Sequence, residues 1–123
     1  MNKNNGVFLT NDGHALGVSI DIPSGIADAI NERKYFVLFH EDNGFLKNFS
    51  RFAEAPLCLC YGRLAAEGSE GDNDVLNDLM ADSRYQGACL FLGEKNRQPS
   101  PMNEETVQKV LELLEEYHGA NLD

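Results

Sequence analysis

The sequence predicts an α+β fold, in which a mostly antiparallel sheet carries about three helices, the last two of them acidic. Short apolar and β-branched stretches such as "KYFVLFH" and "LCLCYG" recur between turn signals that contain Gly, Asn or Asp. The final part of the chain instead repeats apolar residues at helical spacing. At 123 residues, the chain is expected to form a single domain spanning 1–123.

The beginning of the chain predicts a hairpin, a short helix and a third strand. "GVFLT" and "HALGVSIDI" flank the turn signal "NDG", and Val18, Ile20 and Ile22 alternate with polar residues. Pro23 then opens the helix "SGIADAINER", and "KYFVLFH" has the composition of a strand. We interpret "FLKNFSRF" at 45–52 as another strand, because it follows the turn "EDNG", although its phenylalanines have helical spacing.

The middle of the chain predicts two buried strands separated by a loop and a helix. "LCLCYG" at 57–62 and "GACLFLG" at 87–93 are apolar on both faces, as expected of strands covered on both sides. Between them, Asp72 or Asn73 can cap a helix that runs through about Ser83.

The end of the chain predicts a polar turn, "EKNRQPSP", and then the clearest amphipathic helix. Asn103 caps this helix over 104–118, and Gly119 ends it. Its apolar side consists of Val107, Val110, Leu111, Leu114 and Tyr117.

The formal net charge of −10 is concentrated in the second half of the chain. Residues 1–65 carry 7 acids and 6 bases, a net charge of −1, whereas residues 66–123 carry 13 acids and 4 bases, a net charge of −9. Such an asymmetric field repels nucleic acid and attracts basic proteins. Because the ten Lys and Arg residues are scattered, we do not expect direct binding of nucleic acid.

The chain lacks sequence signals for a membrane or for secretion. No apolar run approaches the roughly 20 residues that span a bilayer, and "MNKNNGVFLTNDG" lacks the apolar core of a signal peptide. We therefore expect a cytoplasmic protein with no membrane contact and with free thiols.

The motifs that would indicate a metal or a catalytic centre are incomplete. A calcium loop started at Asp72 fails at Leu76 and Ser83. Cys58, Cys60 and a neighbouring Cys89 could form a sulfur cluster, but they lack a C-x2-C turn and a fourth ligand, so we interpret them as buried apolar residues. No nucleophile-elbow, phosphate-loop or zinc-protease motif occurs. We therefore predict no metal, no cofactor and no catalytic residue.

The candidate binding residues are carboxylates on the two acidic helices and on the loop before the first. Asp74, Asp78 and Asp82 recur every four residues, about 6 Å apart along a helix, although like charges at this spacing repel. Glu112 and Glu116 repeat this spacing. The residues predicted to contact a partner are Glu67, Glu70, Asp72, Asp74, Asp78, Asp82, Glu105, Glu112 and Glu116. An ordinary solvated helix face would account for the same pattern.

In its size and in the carboxylates at 67–82 and 104–116, the chain resembles the small acidic bacterial DNA-mimic proteins. Surface carboxylates of such proteins imitate phosphates and occupy DNA-binding proteins, and one monomeric kind binds the histone-like nucleoid protein HU. The resemblance implies a non-enzymatic monomer that binds a basic nucleic-acid-binding protein in competition with DNA. The resemblance implies neither a fold nor a named target, because DNA mimics share no common fold.

Three alternatives remain open from the sequence. Immunity proteins that neutralise nuclease toxins are also small, acidic and α+β, and phage inhibitors of nucleic-acid enzymes have similar charge. The third alternative is a small enzyme that uses His40 or a cysteine.

Overall fold

The computed structural model describes residues 3–31, 33–62, 71–81 and 85–122. The strands are β1 (Gly6–Leu9), β2 (His14–Val18), β3 (Tyr35–Phe39), β4 (Leu57–Gly62), β5 (Cys89–Lys95), β6 (Gln98–Ser100) and β7 (Asn121–Leu122). The helices are α1 (Ile26–Ile30), α2 (Gly44–Ala53), α3 (Asp74–Met80) and α4 (Glu104–His118), with a 3-10 turn at His40–Asp42. These elements confirm the predicted α+β class.

The strands form one sheet in the order β3-β4-β5-β1-β2-β7, and β6 pairs with the far end of β5. The β2–β7 pair is parallel, and the other pairs are antiparallel. At the centre of the sheet, Phe91 of β5 lies opposite Leu59 of β4 on one side and Val7 of β1 on the other. The sheet therefore brings the beginning, middle and end of the chain together.

Side chains on the two faces of the sheet belong to separate apolar clusters. Leu57, Leu59 and Phe91 face α2, α3 and α4, whereas Cys58 and Leu90 face α1. Alternate residues of a strand point to opposite faces, so a sheet covered on both sides requires continuous apolar strands. This explains the unbroken apolar runs of β4 and β5, which the sequence predicts correctly.

The predicted strand at 45–52 is wrong, because this segment forms α2. The side-chain oxygen of Asn43 accepts hydrogen bonds from the backbone N–H groups of Phe45 (2.9 Å) and Leu46 (3.0 Å), which caps the helix. Leu46 and Phe49 then reach the core at helical spacing. The spacing of the phenylalanines was therefore a better guide than the preceding turn.

Helix α3 is shorter than the sequence predicts. Asn73 caps it, as expected, by accepting a hydrogen bond from the backbone N–H of Leu76 at 3.1 Å. The helix ends at Met80 rather than at Ser83, because Ala81 adopts the left-handed conformation with a φ of 54°.

The end of the chain follows the prediction more closely. The segment interpreted as a polar turn contains the β5–β6 hairpin, in which Lys95 pairs with Gln98. Asn103 caps α4, and Gly119 ends it with a φ of 77°. Of the predicted apolar side of α4, four residues are buried, but Tyr117 is 64% exposed. Within the described ranges, no helix is both long enough and apolar enough to cross a membrane.

Candidate functional site

The two acidic helices lie in the same layer as α2, on one face of the sheet. Helices α2, α3 and α4 contact one another pairwise, and α4 also packs on β1 and β2. The structure describes six of the nine predicted carboxylates, and all six are exposed: Asp72, Asp74, Asp78, Glu105, Glu112 and Glu116. Glu67, Glu70 and Asp82 lie outside the described residues.

Three carboxylates line up along the outer side of α4. Glu105, Glu112 and Glu116 are separated by seven and four residues, which places them within about 40° of one another around the helix axis. They extend over about 16 Å of the helix, at a rise of 1.5 Å per residue. We call these three residues the α4 carboxylate stripe.

The lysine nearest to the α4 carboxylate stripe is held by a different acid. Lys109 Nζ lies 2.6 Å from Glu54 Oε2 at the end of α2. This hydrogen bond is the main cause that raises the pKa of Lys109, and the charges of Glu105 and Glu112 raise the pKa further. Among the residues whose structure is described, the three carboxylates of the stripe form no ion pair.

The carboxylates around α3 instead have local partners. Asp78 Oδ2 is hydrogen-bonded to His118 Nδ1 at 2.8 Å, which ties α3 to the end of α4. Asp72 accepts a hydrogen bond from Gln86 Nε2 at 3.1 Å. Asp74 is the first residue of α3, where a carboxylate interacts favourably with the helix dipole. Of the three aspartates in the predicted ridge, Asp74 and Asp78 lie on α3, which ends at Met80, and Asp82 is outside the described residues.

An aromatic groove between α2 and α4 is the main feature that the sequence analysis missed. It has a volume of about 320 Å³ and is lined by Phe49, Phe52, Leu113, Tyr117 and His118. We call it the α2–α4 groove. Phe49 is buried at its base, whereas Phe52 is 69% exposed. The sequence signal was the helical spacing of the phenylalanines, but a groove between two distant helices required the fold.

An ion pair and a ring contact join α2 and α4 near the two ends of the groove. The Lys109–Glu54 pair joins α4 to the end of α2, while the ring of His118 lies 6.0 Å from that of Phe49 in the middle of α2. The order of these contacts along the chain shows that α2 and α4 run antiparallel. His118 also bonds to Asp78, so a carboxylate adjoins the groove wall at that end.

The cysteines do not form the sulfur cluster that the sequence allowed. Cys58 and Cys60 lie on the α1 face of the sheet, and Cys89 lies on the opposite face. The pKa of the Cys58 thiol is raised, first by its contact with Cys60 and then by burial, and burial raises that of Cys89. Raised pKa values favour the protonated thiols, which are weak nucleophiles. The described part of the chain contains no metal-binding group of three or more His, Cys, Asp or Glu residues.

His40, the histidine that the sequence left open for catalysis, lies beside Glu94. Its Nδ1 is buried and lies 4.0 Å from Glu94 Oε2, which exceeds hydrogen-bonding distance. The adjacent Glu41 and Asp42 pair with Arg97 instead, at 3.4 and 3.1 Å. These contacts fasten the 3-10 turn to the β5–β6 hairpin.

Comparisons of this chain with family models, with curated proteins and with solved structures each found no match. Among the described residues, the two candidate binding features are the α4 carboxylate stripe and the α2–α4 groove.

Proposed function

We propose that this chain is a non-enzymatic, monomeric protein of the cytoplasm that binds a basic DNA-binding protein and competes with DNA for it. A histone-like nucleoid protein such as HU is an example of such a partner. The observation that carries the proposal is the α4 carboxylate stripe, whose nearest lysine, Lys109, is already engaged by Glu54. Within the described ranges, no cation of the chain pairs with these three carboxylates, so they can pair with cations of a partner.

The dimensions of the stripe are compatible with imitation of a phosphate backbone. Its length of about 16 Å corresponds to roughly five steps of 3.4 Å between phosphates along one DNA strand. Because the carboxylates project from a helix fixed against the sheet, a partner would meet them in a set arrangement. The net charge of −10 would accelerate the encounter with a basic protein, and local pairing would then orient it.

The test compares two variants that lose the same amount of charge from opposite faces of the sheet. Glu112→Gln with Glu116→Gln removes two charges from the stripe. Asp21→Asn with Asp28→Asn removes two exposed charges from the segment around α1, on the other face. Affinity for purified HU is measured by calorimetry at low and high salt.

We expect the stripe variant to bind HU more weakly by roughly 0.4 to 2 kcal/mol, since each exposed ion pair contributes roughly 0.2 to 1 kcal/mol. The loss should diminish at high salt, which screens exposed charges. The control variant should bind nearly as well as the unmodified protein. Equal losses in the two variants would show that only total charge matters, and would contradict a role for the stripe.

A further inference from the structure

Two aromatic side chains that line the α2–α4 groove are exposed to solvent. Phe52 and Tyr117 stand on its opposite walls and are 69% and 64% exposed, more than any other large apolar side chain that the structure describes. Single exposed aromatic residues are common, but aromatic side chains gathered around a groove are typical of interaction surfaces. Tyr and other aromatic residues are also enriched among those that dominate binding energy.

The groove is formed before any partner arrives. The Lys109–Glu54 pair joins its two helices to each other, the Asp78–His118 pair joins α4 to α3, and Phe49 at its base belongs to the core. Its volume of about 320 Å³ is at the lower end of the range for binding pockets. A partner would therefore bind without the entropic cost of bringing the two helices together.

The charges beside the groove indicate the character of its occupant. Glu112 and Glu116 of the α4 carboxylate stripe immediately precede Leu113 and Tyr117, so they lie about 100° around the helix from the groove wall. The bases of α2, Lys47 and Arg51, line a different cavity together with His40. The acidic border thus complements an apolar side chain that has basic neighbours.

We propose that the α2–α4 groove receives an apolar side chain of the basic partner, while flanking Lys or Arg residues of that partner pair with the α4 carboxylate stripe. This inference rests on the function proposed above and adds a contact that salt does not screen. A second copy of the chain is a poorer occupant, because two molecules of net charge −10 repel each other.

The experiment uses two synthetic peptides of identical positive charge. Both carry Lys and Arg on either side of a central position, which is leucine in one peptide and serine in the other. The full-length protein is labelled with ¹⁵N and titrated with each peptide at low and at high salt. Affinities and the residues whose signals shift are read from the NMR spectra.

We expect the leucine peptide to bind about tenfold more tightly than the serine peptide, because burying a leucine side chain is favourable. This ratio should persist at high salt, and signals of Leu113 and His118 should shift. Phe52→Ala should abolish the preference for leucine. Phe36→Ala is the matched control, because Phe36 is 48% exposed but lies on β3 at the edge of the sheet, and it should retain the preference.

Each contrary result has a distinct meaning. If both peptides bind equally and the stripe variant weakens both, the groove proposal is overturned while the proposed function stands. If neither peptide binds at low salt, the proposed function fails as well. If the unmodified protein dimerises and Phe52→Ala prevents it, the groove binds a second copy, which also overturns the inference.

Discussion

At the scale of single residues, Lys109 determines how much negative charge α4 presents. Its ammonium bonds to Glu54, which lies 55 positions earlier in the chain, rather than to the glutamates of its own helix. The pKa of Glu54 is lowered, chiefly by this hydrogen bond, and the pKa of Lys109 is raised by the same contact. The pair thus links α2 to α4, and the α4 carboxylate stripe has no ion pair with any residue that the structure describes.

The pH dependence of the Lys109–Glu54 pair follows from these two shifts. A lowered pKa for Glu54 means that its stabilising contribution is present above its ordinary value of 4.5 and is lost as the pH falls through the folded-state value. A raised pKa for Lys109 means that its contribution is present below 10.5 and is lost as the pH rises through the folded-state value. The pair therefore stabilises the fold between these limits.

We predict that Glu54→Gln lowers the melting temperature at pH 7, and that this effect shrinks as the pH falls below 4.5, because the lowered pKa of Glu54 makes its contribution disappear with falling pH. Thermal denaturation of both proteins, followed by circular dichroism, measures the difference. The control is Gln108→Ala, which changes an exposed residue next to Lys109 on the same helix and leaves the charge of the protein unchanged. A difference at pH 3 as large as that at pH 7 would argue against the ion pair.

At the scale of elements, asparagine caps decide where three helices begin. Asn43, Asn73 and Asn103 each accept hydrogen bonds from the first turn of α2, α3 and α4. Asn73 differs from the others, because it is fully buried and its side chain also donates to the carbonyl oxygen of Gly87 at 2.9 Å. It therefore joins α3 to the segment that leads into β5.

We predict that Asn73→Ala destabilises the fold more than Asn43→Ala does. Loss of the Asn43 cap should cost about 1 kcal/mol. Loss of Asn73 should cost about 2 to 4 kcal/mol, because it removes a cap and also leaves the buried carbonyl of Gly87 without its partner. Urea denaturation of the two variants measures both values. Equal losses would show that the second hydrogen bond of Asn73 contributes little to stability.

The same elements show what could be predicted from the sequence. Helix α4 was predicted with its correct ends, because a cap, an apolar stripe and a terminal glycine all agree. Helix α2 was misassigned, because the turn signal before it conflicted with the spacing of its phenylalanines. The α2–α4 groove could not be predicted, since Phe52 and Tyr117 line one groove only when distant segments pack on one sheet. The Lys109–Glu54 and Asp78–His118 pairs are long-range contacts of the same kind.

At the scale of the whole molecule, both acidic helices pack on one face of the sheet. Acidic residues from the second half of the sequence are brought together in space, because α3 and α4 lie on the same face of the sheet. Asp21 and Asp28, by contrast, belong to the segment around α1 on the other face. A basic partner would thus meet a concentrated field on the helical face, together with an apolar contact in the α2–α4 groove.

Competition with DNA for one basic partner tests the central claim most directly. Fluorescently labelled duplex DNA is first bound to HU, and the unlabelled protein is then added while anisotropy is recorded at low salt. We predict that anisotropy falls to the value of free DNA, and that the protein alone leaves the anisotropy of DNA unchanged because their charges repel. Anisotropy that rises above that of the HU–DNA complex would indicate a ternary complex, and unchanged anisotropy would indicate no binding. Either result would contradict the proposal that this protein occupies the DNA-binding surface of its partner.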